Sequence, residues 1–591
     1  MSIHELDIEG RPAVADIEES LNRMMGRLRS ILAAPVLTER GMVEMMSIYN
    51  NVAYVFLYLD AVDDNATANR LRPLRGQFYD DEALNRAILA KLCVLRCADP
   101  EAEASRSDYI QKLEESGRGG ADHAHDIEGH LDRAKAILDR RDGERRALIS
   151  RLGVGNFTGR AESAFYQLSS LTEKAERRRK LALVWGTCTS RHSVELADIV
   201  DEMVTVRRRR CAEAGFDSVL QQTMSRCRVS KVQVSHFLDE FLGTALQRFE
   251  ALVDEIESSV GTDSQPLDHF GYLLKSGIRS IPPLYSLDKC MSYIFRVAES
   301  VFGITLRWTE GTSDEIMVAH VSQEGRKVGS IKFDLWDLDR KSFAANHTRG
   351  IRNRTNWGGI EQRPVAYVSC RFRRGADGIG RITFQNVHSI FHEFGHAVNH
   401  LLVRKRISYF SGLEYLPPER LELLSMFFEK WVFHADFADY AGDHSDGSGL
   451  AMCRDIAKLE YRRTYAERAV TAMLDFRVHG SNEGSLKSHY DAIDSQYGIA
   501  RHVRFDDIVE YFTWPMYVSN PGANFTYLWG AARSLEMFRP FQDSTLDQIA
   551  ASGPHSEAFA SCFDFGMTSE IPAVDHVFVF YDSATLEGLA T

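Results

Sequence analysis

The spacing of apolar residues changes twice along this 591-residue chain, and these changes limit the folds that it can adopt. From the start to about residue 300, apolar residues recur three and four apart among charges, as in Ile17, Leu21, Met24 and Leu28. That period is typical of amphipathic helices. Short runs with strand propensity follow in residues 301–375, and helical spacing then returns. We therefore predict a mostly α fold that contains one small β-sheet at about residues 301–375.

The chain is too long for one ordinary hydrophobic core, so we expect two large lobes. The predicted sheet rests on four short runs separated by turn-rich polar segments, at residues 304–308, 316–321, 329–335 and 365–372.

Composition excludes several classes of protein. A hydrophobic fraction of 44% and a charged fraction of 26% are typical of globular proteins, and no segment approaches the run of about 18 apolar residues that a membrane-spanning helix requires. The net charge of −13 argues against a nucleic-acid partner. The acidic, polar N-terminus does not resemble a signal peptide, and the nine cysteines are scattered. We therefore expect a soluble cytoplasmic protein without a membrane or nucleic-acid partner.

One segment carries residues suited to metal chemistry. His392 and His396 lie four apart in an apolar helical period, so both can point at one ion, and Glu393 lies one step round the helix. Zinc binds imidazole nitrogen readily, and a neighbouring glutamate can act as a general base. With 20 histidines in the chain, this pattern arises by chance in roughly one such sequence in twenty to thirty. A functional site therefore requires a third ligand elsewhere.

Three glutamates on the following segment are candidates for that third ligand. Glu419, Glu422 and Glu429 lie in residues 417–431. Glu422 and Glu429 are seven apart, hence on one helix face, and either can approach the metal.

The segment 422–431 has the form E-x-x-S-x-x-x-E-x-W, and together with the His-Glu-Phe-Gly-His motif it resembles the thimet oligopeptidase and oligoendopeptidase F family of metallopeptidases. The resemblance implies that one zinc ion is held by His392, His396 and Glu422, with Glu393 as general base. It also implies that Glu429 is a supporting residue. The family fold has two helical lobes around a deep substrate channel, with a small sheet beside the active-site helix.

The resemblance runs from about residue 200 to the end. It predicts an N-terminal helical region at residues 1–190 and a catalytic region at 191–591, with the metal helix at about 384–403. The channel implies short unfolded peptides as substrates.

A second family feature is a glycine-containing loop whose histidine and tyrosines contact the substrate carbonyl. The corresponding stretch is residues 514–529, where Tyr527 fits the final family tyrosine and Tyr517 is a second candidate. Met516 stands where many members have the histidine, and Asn524 stands at a tyrosine position. The implied role of the tyrosines is to stabilise an oxyanion.

Two more histidines, His388 and His400, continue the interval of four on either side of the predicted ligands. Each step of four residues rotates about 40° around the helix, so the outer two leave the ligand face. We expect His388 to hydrogen-bond a ligand or a carboxylate, and His400 to be a solvent-facing or satisfied structural histidine.

The predicted function is a zinc-dependent endopeptidase that hydrolyses oligopeptides. The altered Met516 region motivates an alternative, a tailoring enzyme of a biosynthetic pathway that acts on a leader peptide or another amide. A non-catalytic metal-binding homologue is a third reading. Two histidines and a carboxylate also hold iron in some enzymes, but Glu393 beside the ligands favours hydrolysis and hence zinc.

Overall fold

A computed structural model describes residues 14–62, 64–116, 121–151, 174–185, 191–260, 284–309, 316–337, 346–373, 380–441, 448–563 and 570–582. The prediction of a mostly helical fold with a small sheet is confirmed. Within these ranges, none of the helices combines the length and the apolar character that a membrane crossing requires.

The described residues of the first half of the chain are mostly helical. Its helices are α1 Val14–Ala33, α2 Glu39–Ala61, α3 Asn65–Tyr79, α4 Glu82–Val94, α5 Pro100–Ser116, α6 Ala121–Arg151, α7 Lys174–Trp185, α8 Arg191–Glu213, α9 Val219–Met224, α10 Lys231–Val260 and α11 Leu287–Phe302. Burial follows the predicted period, since Ile17, Leu21, Met24 and Leu28 of α1 are all buried in one core with α2.

The strands follow α10 and surround α11. They are β1 Tyr285–Ser286, β2 Ile304–Trp308, β3 Met317–Gln323, β4 Arg326–Trp336, β5 His347–Arg352, β6 Thr355–Trp357, β7 Ile360–Gln362, β8 Val365–Phe372 and β9 Arg381–Ile382. Five of them form one sheet in the order β2-β3-β4-β8-β5, in which only β4 and β8 are parallel. Among the described residues β5 pairs with β8 alone, so it is an edge strand of this sheet.

The described residues after β9 are mostly helical. They are α12 Phe384–Leu402, α13 Leu423–Lys430, α14 Phe437–Ala441, α15 Ser448–Gly480, α16 Leu486–Tyr497, α17 Phe505–Ile508, α18 Pro515–Ser519, α19 Phe525–Phe538, α20 Leu546–Ala551, α21 Ala560–Phe563 and α22 Asp575–Tyr581. α12 packs against β8, β5 and β4 of the sheet and against α13. The predicted position of the sheet beside this helix is confirmed.

The chain divides into two compact units that interleave along the sequence. The first comprises Met1–Gly120, Leu284–Asp443 and Met537–Met567, and the second comprises Ala121–Pro283, His444–Glu536 and Thr568–Thr591. The sheet, α12 and α13 lie in the first unit, whereas α15, α18 and most of α19 lie in the second. The domain boundary at residue 190 and the substrate channel stay predictions.

Candidate metal centre

Helix α12 positions two of the predicted ligands and the predicted base. Thr383 caps its N-terminus by accepting a backbone N–H with its hydroxyl, and most of the helix is buried. A buried helix is normally apolar around its whole circumference. His392, Glu393 and His396 are polar residues on this mostly buried helix. Buried polar side chains require hydrogen-bond or charge partners.

Helix α13 reaches these residues because α12 has a glycine at the crossing. A Cβ added at Gly395 would lie 2.4 Å from the carbonyl oxygen of Leu424 and 2.5 Å from Cα of Ser425. Only glycine permits this approach of two backbones. The crossing brings Glu422, the residue before the first turn of α13, to the two histidines. Glu422 thus precedes the helix on which the sequence placed it.

Three donor atoms form a nearly equilateral triangle. Nε2 of His392 lies 3.2 Å from Nε2 of His396, and Oε2 of Glu422 lies 3.4 Å from the first nitrogen and 3.3 Å from the second. Tetrahedral zinc with bonds of about 2.0–2.1 Å separates its ligand atoms by about 3.3 Å. The donor set and its spacing therefore fit a zinc ion, which His392, His396 and Glu422 would hold.

The other nitrogen of His392 is held by a carboxylate. Nδ1 of His392 lies 2.5 Å from Oε1 of Glu429, so the ring donates there and keeps the lone pair of Nε2 for the donor triangle. Burial opposes a charge on this ring, but the hydrogen bond and charge of Glu429, with Glu422 and Glu393 nearby, raise the pKa of His392 to about 9. The surroundings thus favour a cation at this point.

Glu422 is ionised in its buried position. Burial alone raises the pKa of a carboxyl group, but the charge and hydrogen bond of His396 and the charge of His392 outweigh it and lower the pKa of Glu422 to about 2. The Ser425 hydroxyl lies 2.9 Å from Oε2 of Glu422 and fixes the carboxylate further.

Glu429 has two basic neighbours besides His392. Nε2 of His388 and Nζ of Lys430 each lie 3.5 Å from its Oε2. Burial raises the pKa of Glu429, but these charges and the hydrogen bond with His392 outweigh it and hold that pKa well below its usual range. His388 thus lies at ion-pair distance from a carboxylate, and its predicted hydrogen bond stays a prediction.

The two remaining candidates from the sequence lie outside the triangle. Glu419 is fully buried with its carboxylate 3.9 Å from Arg420, and it does not join the group of potential ligands. His400 is fully buried and its Nε2 lies 2.8 Å from the main-chain oxygen of Arg352. His400 is therefore a buried structural histidine that is bonded through Nε2, but its Nδ1 has no hydrogen-bond partner among the described residues, so it is neither the solvent-facing nor the fully satisfied histidine that the sequence predicted.

The predicted base has a partner that no pattern in the sequence indicated. The Thr348 hydroxyl of β5 lies 2.7 Å from Oε2 of Glu393 and 2.9 Å from its main-chain oxygen. β5 itself was not predicted, because the run His347–Arg352 lacks an apolar alternation. Buried Lys430 was missed as well, since nothing in a helical period distinguishes a buried lysine from an exposed one.

The predicted tyrosines lie in the second unit, which also contains fully buried Asp475. Oδ2 of Asp475 accepts the side-chain N–H of Asn524 at 2.9 Å and its backbone N–H at 3.1 Å. Tyr517 is buried and its hydroxyl is hydrogen-bonded with Thr471. Tyr527 is half-buried, with the guanidinium of Arg468 5.4 Å from its ring centroid. The roles of both tyrosines stay predictions.

The same carboxylate is linked to a buried arginine through a histidine. Nδ1 of His479 donates to Oδ1 of Asp475 at 2.9 Å, and Nε2 of His479 lies 3.3 Å from Nη1 of Arg207. A guanidinium only donates, so Nε2 accepts and His479 is neutral. Burial lowers the pKa of Arg207 to about 10 against the opposing charge of Asp475. Arg207 also donates to the main-chain oxygen of Val518 at 2.9 Å.

Comparison with protein families gives a match to the model of peptidase family M3 over residues 170–552, more than half of the chain. Oligopeptidase A of Salmonella typhimurium is 22% identical over 399 residues, which cover 61% of this chain and 58% of that protein. Oligopeptidase A of Escherichia coli is 24% identical over 305 residues, which cover 48% of this chain and 45% of that protein. The matches thus span about half the length of these relatives.

Among solved structures, an X-ray structure described as that of an oligoendopeptidase F aligns over 100% of both chains with a TM-score of 0.52. Its sequence identity of 13% makes this a likeness of fold alone.

Proposed function

The chain belongs to peptidase family M3, as the resemblance of its metal helix predicted, and from that premise we propose that it is a zinc-dependent endopeptidase. The observation that carries the proposal is the donor triangle of His392, His396 and Glu422 next to the carboxylate of Glu393. Short unfolded peptides as substrates and a cytoplasmic location are parts of this proposal.

Zinc bound there would supply a Lewis acid that polarises the scissile carbonyl and lowers the pKa of a water molecule. Glu393 takes a proton from the attacking water and returns it to the nitrogen of the leaving amine. Peptide and water are thereby converted to a carboxylic acid and an amine.

Other residues hold these groups in place. Glu429 fixes the tautomer of His392, and Ser425 fixes the carboxylate of Glu422. Tyr527 and Tyr517 are proposed to donate hydrogen bonds to the oxygen on which negative charge develops.

The test compares the wild-type protein with Glu393→Gln and His392→Ala on a quenched-fluorescence peptide library, with elemental analysis of each. We expect one zinc ion in the wild type and in Glu393→Gln, and a loss of metal from His392→Ala. Turnover of Glu393→Gln should fall by about 10²-fold to 10⁴-fold, because that is the usual contribution of a general base. Retained turnover in that variant would exclude this mechanism.

One observation favours a second candidate, a tailoring enzyme with a dedicated substrate. The side chain of Asn524 is committed to Asp475, and the hydroxyl of Tyr517 is hydrogen-bonded with Thr471. Asn524, which stands at a tyrosine position of the family, and Tyr517, the candidate to replace that tyrosine, therefore both have hydrogen-bond partners within the protein. This candidate predicts no cleavage of the generic library but turnover of one peptide or amide encoded by a neighbouring gene. Cleavage of many unrelated peptides would contradict it.

A further inference from the structure

Edge strand β5 lies directly against helix α12, and two contacts fix how the strand sits. The ring of His400 lies beneath Gly350, where an added Cβ would be 2.4 Å from Cε1 of the ring. Nε2 of the same ring lies 2.8 Å from the main-chain oxygen of Arg352. Only glycine leaves room for the His400 ring at position 350. A shift of the strand along the helix would bring a larger residue over the ring and would break the hydrogen bond with Arg352.

The protonation state of His400 determines which atom donates the hydrogen bond between His400 and Arg352. Burial lowers the pKa of His400, so the ring is neutral and carries one proton. A main-chain carbonyl only accepts hydrogen bonds, which places the proton on Nε2. His400 therefore donates to β5, and the strand has one register on α12.

Thr348 is two residues before Gly350, so its side chain leaves the same face of the strand, toward α12. There its hydroxyl meets Oε2 of Glu393 at 2.7 Å. The hydroxyl also lies 2.9 Å from the main-chain oxygen of Glu393, but it has one proton to donate. Hydrogen bonds to a charged acceptor are about twice as strong as neutral ones, so the carboxylate takes the proton.

We propose that Thr348 is a positioning residue for Glu393: its hydroxyl holds Oε2 and leaves Oε1 as the oxygen that exchanges the proton with water. This inference rests on the proposed function, in which Glu393 is the base. Glu393 is 6% exposed, and a carboxylate with one oxygen fixed rotates less than a free one. The hydroxyl thus restricts the base to the orientation that β5 dictates.

The test compares three variants by kinetics and by crystal structures. Thr348→Val keeps the shape of the side chain and removes the hydroxyl, whereas Thr348→Ser keeps the hydroxyl. Thr305→Val, on the other edge strand β2, is the matched control. We expect kcat of Thr348→Val to fall tenfold to a hundredfold, on the order of one lost hydrogen bond to a charged group, with KM unchanged. Thr348→Ser and Thr305→Val should remain within about twofold of the wild type in kcat and KM.

The structures give a result that does not depend on turnover. In Thr348→Val we expect the carboxylate of Glu393 to occupy a new or a second orientation, while the metal content and the three ligand side chains stay as in the wild type. An unmoved carboxylate overturns the proposal, whether or not the wild type cleaves peptides. So does an unchanged kcat in an active enzyme. If the wild type proves inactive on peptides, the proposed function fails, and the position of Glu393 still decides the role of Thr348.

Discussion

Glu429 lies 2.5 Å from Nδ1 of His392, and this contact turns Nε2 of the ring toward Glu422. Glu429→Gln keeps an acceptor but removes the charge, and it leaves Lys430 buried against a neutral amide. We expect zinc affinity to fall about tenfold to a hundredfold, measured by competition with a chromophoric chelator. Exposed Glu483→Gln is the control and should bind zinc like the wild type. Equal affinities of the two variants would show that Glu429 does not support the ligand.

Gly395→Ala should damage the metal centre without touching a ligand. The new methyl group would sit 2.4 Å from the carbonyl oxygen of Leu424, so α13 has to move and Glu422 with it. We expect the free energy of unfolding to fall by about 1–3 kcal/mol, as for other overpacked sites. Zinc content should drop below one ion per chain.

The control for this change is Gly243→Ala, on the exposed side of α10, where an added Cβ meets nothing within 4 Å. Alanine in a helix interior stabilises by about 0.5–1 kcal/mol relative to glycine. Denaturant unfolding of both variants measures the contrast. A neutral Gly395→Ala would mean that the two helices separate easily.

Asp507 should make stability depend on pH. Its Oδ1 is buried without a hydrogen-bond partner among the described residues, and burial together with the charge of Glu467 raises the pKa of Asp507 to about 7. The unfolded value is about 3.9, so the folded state binds the extra proton between these two pH values. The free energy of unfolding therefore falls as pH rises from about 4 through 7 and is level above that.

Asp507→Asn removes this dependence. We expect the variant to exceed the wild type by about 2–4 kcal/mol at pH 8 and to show a flatter stability profile between pH 5 and 7.5. Urea unfolding at several pH values measures it, with exposed Asp543→Asn as the control that keeps the wild-type slope. A wild-type slope in Asp507→Asn would exclude this carboxyl group as its source.

Asp475 and Arg207 should stabilise the second unit as a coupled pair. Asp475→Asn removes the negative charge to which buried Arg207 is linked through His479, and the loss of a hydrogen bond to a charged group costs about 1.5–3 kcal/mol of unfolding free energy. The double variant Asp475→Asn with Arg207→Met should recover part of this loss, because neither charge then remains. Strict additivity of the two single changes in denaturant unfolding would refute the coupling.

Much of the fold could be predicted from local patterns. The predicted runs at residues 304–308 and 365–372 match β2 and β8 at both ends, because each alternates or buries apolar side chains as strands do. β5 was missed because His347–Arg352 is mostly polar and only its last two residues are buried, so it shows no apolar alternation. Because β5 was not predicted, Thr348 was not identified as a partner of Glu393 either.

The third metal ligand shows most clearly what spacing in the sequence cannot predict. Of the three candidates Glu419, Glu422 and Glu429, sequence spacing allowed either Glu422 or Glu429 to approach the metal, and only the motif resemblance selected Glu422. The structure separates them physically: Glu422 meets the Nε2 atoms, Glu429 meets Nδ1 of His392, and Glu419 lies by Arg420. Helical spacing fixes the face of a residue but not the level at which a second helix crosses the first.

The sequence by itself determined the helix of His392, Glu393 and His396, because a residue's face on a helix depends only on the local period of 3.6. The tertiary structure alone decided which side chains from distant segments complete the centre. Gly395 sets the crossing that brings in Glu422, and the packing of β5 brings Thr348 to Glu393. Such distances depend on packing between elements far apart in the chain, which no local spacing encodes.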